Sequence, residues 1–165
     1  MNASEYIAHF ELRPGDAIVS RYKAKLAGLT GLFHYVVFLG EGWAIHNQPE
    51  TGVVMIPMEE VAESYPEVHR IERFQGGKTE LQQLYARVRE TLGKNYDLLH
   101  FNCESLANYL RFGVAKSSQV IAMAILTAII VLAVIAIIIR FLRSSGSTGG
   151  SEGASGHANG VSYSI

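Results

Sequence analysis

Cysteine is nearly absent: Cys103 is the only one in 165 residues. No disulfide can form within the chain, which fits a reducing compartment. Close cysteine and histidine spacings are missing too, so the sequence offers no ligand set for structural zinc, and no cofactor is implied. Neither sign of charge is in excess, with 14 Lys and Arg against 15 Asp and Glu and a formal net charge of −1. That balance gives no electrostatic reason to expect nucleic acid as a partner. The first ten residues lack an apolar run and carry Glu5 and His9, so no secretory signal is expected. Internal repeats are absent, and oligomeric state is left open.

Three regions of different composition remain. Residues 1–116 mix strand-like and helix-like patterns, as one modest domain would. From Val120 to Ile139 runs a stretch of twenty residues without a charge. At about 1.5 Å per residue it reaches roughly 30 Å, the thickness of the hydrocarbon core. A domain of this size could hardly cover such a helix on all sides, so residues 117–143 are expected to hold a single transmembrane helix. Basic residues flank it at both ends, with Arg111 and Lys116 before and Arg140 and Arg143 after, which leaves the positive-inside rule nearly silent. A short tail after the span and no leading signal point to a tail anchor with the domain facing the cytosol. Residues 144–165, rich in Gly, Ser and Ala, are expected to be disordered.

Within the domain, Pro14-Gly15-Asp16 opens a turn into a strand, and residues 22–32 form a connection containing Gly and Lys. Residues 33–39 and 43–46 read as a β-hairpin around Gly40-Glu41-Gly42, with further strands over 52–57 and 68–74. Residues 79–92 carry an amphipathic stripe of Leu81, Leu84, Tyr85, Val88 and Leu92, with Thr79 and Gln82 as a capping box and Gly93 as the stop. A second helix opens at Asn102, a good N-cap, and runs through Leu106, Tyr109 and Leu110 to Gly113. The fold class is α+β, with an antiparallel sheet and a few helices.

Cys103 falls in the first turn of that second helix, where free N–H groups and the helix dipole favour a thiolate. The plain alternative is an inert buried thiol. The hairpin supplies two imidazoles. If Leu39 opposes Trp43, then Val36 opposes His46, and His34 lies diagonally beside His46 on one face. A one-residue slip would part them. Taken singly, His34 fits a strand edge and His46 a solvated turn. Together with a capped cysteine, they match what thiol acyl-transfer chemistry needs: a nucleophile, a base, and a group that orients the base. His9, His69 and His157 lack a supporting pattern. His100 is a rival for the base, but the loop joining it to Cys103 is too short to aim it back.

Pro14-Gly15-Asp16, then His34 to Gly40, then Ile45-His46, then Asn102-Cys103-Glu104 form an ordered set that resembles the lecithin:retinol acyltransferase-like family of the NlpC/P60 superfamily. The resemblance spans about Leu12 to Gly113. It implies a circularly permuted papain-like fold, with Cys103 as nucleophile, His34 as base and His46 as the orienting residue. It also implies a membrane phospholipid as substrate: the thiolate takes a fatty acyl group as a thioester and passes it to an amine, alcohol or water. Family members commonly continue the cysteine motif as Asn-Cys-Glu-His-Phe, whereas this chain has Ser105 and Leu106. Several end in a C-terminal anchor.

About six residues separate the Cys103 helix from the apolar run, a reach of at most roughly 20 Å, so the thiol is tethered near the bilayer. Trp43, Phe101 and Phe112 are candidates to admit an acyl chain or, equally, core residues. The Cys103 N–H is a candidate oxyanion donor. The expected function is a membrane-anchored thiol phospholipase A/acyltransferase. The alternatives are a thiol peptidase or amidase of the same superfamily, and a membrane-tethered binding protein without chemistry.

Overall fold

A computed structural model describes residues 1–21 and 33–145. The chain divides into two units, the first Met1–Ala124 and the second starting at Ile125. Among the described residues, five strands form one antiparallel sheet in the first unit: β1 (Ala17–Arg21), β2 (Phe33–Gly40), β3 (Trp43–Gln48), β4 (Gly52–Pro57) and β5 (Val68–Glu72), in the order β4-β3-β2-β1-β5. Both faces are covered. Tyr35, Val37 and Leu39 of β2 share one core with Leu84 and Val88 of α3 (Lys78–Thr91) and Leu106 and Leu110 of α4 (Cys103–Phe112). Val36 and Phe38 share the other with Tyr6 of α1 (Ala3–His9) and Met58 and Val61 of α2 (Met58–Ser64). Two-sided burial is why β2 reads Phe-His-Tyr-Val-Val-Phe-Leu without polar alternation. Each fully buried Leu contributes about 1.5–3 kcal/mol.

The hairpin turns through two residues, Glu41 at φ +51° and Gly42 at φ +77°, the positive-φ pair that matches strand twist. Gly40, not Leu39, opposes Trp43; a bulge between Phe38 and Gly40 takes up the extra residue. The slip is confined to the turn, and Val36 still opposes His46.

Helix α4 starts as expected. The Asn102 side chain accepts from Ser105 N–H at 2.9 Å, and Gly113 ends the helix at φ +76°. Helix α3 starts differently: Gly77 is the cap, and the Glu80 carboxylate accepts from Gly77 N–H at 2.9 Å. Glycine has no side chain to return that bond, and because the helix begins at Lys78 with Thr79 already inside it, the expected Thr79/Gln82 box does not form. Strand β5 ends at Glu72, two residues early, because Phe74 N–H donates to Asp16 Oδ1 at 2.8 Å instead of to a strand.

The apolar run lies in α5 (Ser118–Ser145), whose segment Ser118–Arg143 is long and apolar enough to cross a membrane, with a mean hydropathy of 3.2 over an 18-residue window. Ser144 and Ser145 are helical, so the start of the tail continues α5. The expected connection over 22–32 and the rest of the tail lie outside the described residues.

Candidate active site

Beyond the Val36–His46 pair, β2 and β3 part company. Strand β3 continues to pair with β4 through Gln48 opposite Gly52, whereas β2 runs back to Phe33 without a β3 partner. The two sequence-expected histidines meet at this splay, and Cys103 reaches only the backbone beside it, at the Phe33 carbonyl.

His34 and His46 are both 2% exposed, with His34 Nε2 at 3.3 Å from His46 Nδ1. The His34 ring stacks on Tyr65 at 4.9 Å between centroids, with 20° between planes. Gln48 Nε2 sits 3.2 Å from His46 Nδ1 and donates to the Tyr65 hydroxyl at 2.7 Å. An amide N–H has only hydrogens to offer, so in this arrangement His46 Nδ1 accepts. Tyr65 was not legible from sequence as a partner, because it arrives from beyond α2. Gln48, two positions past His46 on one strand, carried a period-2 signal that could have found it.

Cys103 comes to the splay from the other sheet face, within the core of α3 and α4. Its thiol donates to the Phe33 carbonyl at 3.7 Å. Phe33 precedes His34, so sulfur and imidazole flank one short stretch of backbone. Among the described residues, no hydrogen bond joins the thiol to either ring. Asn47, next to His46, donates through Nδ2 to the Phe101 carbonyl at 2.6 Å, pinning the loop before Cys103 to β3.

The expected thiolate is not the resting species. Burial pushes the Cys103 thiol up to about 11, against the opposing pull of the Tyr35, Glu104 and Cys103 backbone N–H groups, and the Glu104 charge adds to the rise. The helix-terminus effect read from sequence is real but loses to desolvation at 9% exposure. Burial also holds both imidazoles below the usual histidine range, His34 further by the neighbouring His46. The resting centre is a neutral thiol and two neutral imidazoles, the protonation states from which a base can act.

Glu104, 3% exposed, accepts from the Ser117 hydroxyl at 2.6 Å, from Ser118 N–H at 3.1 Å and from Gln119 N–H at 3.1 Å. Burial works to raise its carboxyl, but these donors outweigh it and hold it below the ordinary range.

Among the other described histidines, His100 is 80% exposed and pairs with Asp97 at 3.0 Å, His69 stacks on Phe33, and His9 meets Phe10 edge-on. Trp43 and Phe112 are exposed, and Phe101 packs against the core. No group of three or more metal-capable side chains occurs among the described residues. Protein-family models and characterised proteins yield no match to the chain.

The histidine pair makes stability pH-dependent. As pH falls below about 6.5, an unfolded chain protonates both rings and the folded chain does not. Stability is therefore complete above that pH and is lost on acidification, by up to ~1.4 kcal/mol per pH unit for each ring. Urea unfolding between about pH 7.5 and 5 should show the decline, ahead of carboxylate protonation near 4. The His34→Gln/His46→Gln double variant should flatten it; an unchanged slope would contradict a buried neutral pair.

Proposed function

We propose that this chain is a membrane-anchored thiol phospholipase A/acyltransferase, lecithin:retinol acyltransferase-like, with a circularly permuted papain-like domain facing the cytosol and α5 as its tail anchor. One observation carries the reading. A buried pair of neutral histidines, 3.3 Å apart, sits where two central strands splay, and the chain's one thiol reaches the backbone of that same splay. The order of the motifs and the apolar α5 support it.

In the proposed reaction an acyl ester engages the splay, and the Cys103 sulfur closes on its carbonyl carbon. Catalytic hydrogen bonds that are absent at rest commonly form only with substrate. His34 takes the thiol proton as the C–S bond forms, and His46 orients it. The C–O bond of the ester then breaks, and the lysophospholipid leaves as an alcohol with that proton. The thioester is opened by an amine, alcohol or water, whose proton passes through His34 and regenerates the thiol. Backbone N–H groups that face the sulfur, that of Cys103 among them, would donate to the oxyanion in this reaction.

One observation favours the rival reading, a tethered binding protein: the thiol is buried and its pKa raised. Fluorescent phosphatidylcholine in mixed micelles decides between them. The full chain should release labelled fatty acid and form N-acyl product when an amine acceptor is added. Peptide cleavage without acyl release would shift the assignment to a peptidase, and neither activity would leave the binding protein.

A further inference from the structure

Gln119 takes the place of a strand partner where β3 leaves β2. In an antiparallel ladder, a hydrogen-bonded residue exchanges both N–H and C=O with the residue opposite. Phe33 makes that exchange with a side chain: its N–H donates to Gln119 Oε1 at 2.8 Å, and its C=O accepts from Gln119 Nε2 at 3.3 Å. The same Nε2 donates to Glu104 Oε2 at 3.2 Å, and the Gln119 backbone N–H reaches that oxygen at 3.1 Å. One amide thus joins the residue before His34 to the residue after Cys103. The Phe33 carbonyl is also where the Cys103 thiol rests. A β3 residue in that position would zip the strands together and shut the sulfur out. A side-chain amide satisfies the same two groups and leaves room beside them.

We propose that Gln119 is a positioning residue of the reactive centre, an amide clip that holds the cysteine helix and the histidine strand together and ties both to the first turn of α5. Its catalytic consequence rests on the thiol acyl-transfer reading; the clip itself does not. The replacement chemistry is diagnostic. Gln119→Ala deletes both halves of the exchange. Gln119→Glu keeps the size but turns the Nε2 donor into an acceptor facing the Phe33 carbonyl and the Glu104 carboxylate. Only its protonated form can donate, so acid reverses the defect.

The test uses the full chain in detergent micelles, with iodoacetamide labelling of Cys103 and amide exchange of β2 followed together. Gln119→Ala should open the splay and speed alkylation about tenfold or more, since exposing the thiol removes part of the desolvation that keeps it protonated and each pKa unit so recovered is tenfold in thiolate. It should also strip protection from Phe33 N–H while α3 and β4 keep theirs. Gln119→Glu should match Gln119→Ala at about pH 8 and return toward wild type as the new carboxyl is protonated, near pH 5. Alkylation within twofold of wild type and unchanged Phe33 exchange would overturn the clip, even in a chain active on lipid. So would protection falling equally in α3 and β4, which marks a general stability residue. A wild-type chain inactive on lipid but showing these labelling changes would overturn the function and leave the clip standing.

Discussion

If the proposed chemistry holds, Cys103→Ala in the full chain is expected to lower acyl release from phospholipid by about 10⁴-fold or more, the scale on which removal of a covalent nucleophile acts. The fold should survive it. Cys103 packs in the core beside Leu106 and Ala107, and trimming one sulfur there costs about 1 kcal/mol, within the ordinary range for a single substitution. Acyl release by micelle assay and thermal unfolding by circular dichroism separate the two effects. Activity lost with melting nearly unchanged assigns the sulfur a chemical role. Activity retained in Cys103→Ala would remove the thiol from the reaction altogether.

His34→Gln is the second large effect. A positioned general base typically supplies 10²–10⁴-fold, so kcat should fall by about 10³-fold or more with KM little altered. His46→Gln should fall less, by about 10²-fold, because His46 acts on His34 and a glutamine can still hydrogen-bond at that place. The order of the two losses is the informative part. If His46→Gln were the more damaging variant, the roles of the two rings would be exchanged. His34 also stacks on Tyr65, so amide exchange in β2 should accompany the kinetics to exclude a collapsed strand.

The hairpin was legible because a two-residue turn and its register leave a pattern in a short window of sequence. Even so, the register was anchored at Leu39, and only the bulge at Gly40 carried Val36 onto His46. Helix α4 was legible for the same local reason, an Asn cap at one end and a left-handed Gly at the other. Helix α1 carries a local signal of the same kind, the capping box of Asn2 and Glu5. Helix α2 has Pro57 as its cap with no side-chain bond, so little announced it. The partners of the site were beyond reach for a different reason. Tyr65 and Gln119 act through contacts made by the folded chain, the latter from 86 residues beyond Phe33. The thiol's protonation state failed likewise, since position on a helix is written in sequence and depth of burial is not.

Intact-protein mass spectrometry after mixing the full chain with phospholipid micelles tests the central claim most directly. A mass increase equal to one fatty acyl group, carried by the Cys103 peptide, released by hydroxylamine and missing from Cys103→Ala, is the expected result. An unmodified Cys103 at every time point while labelled fatty acid accumulates would contradict covalent catalysis by this thiol.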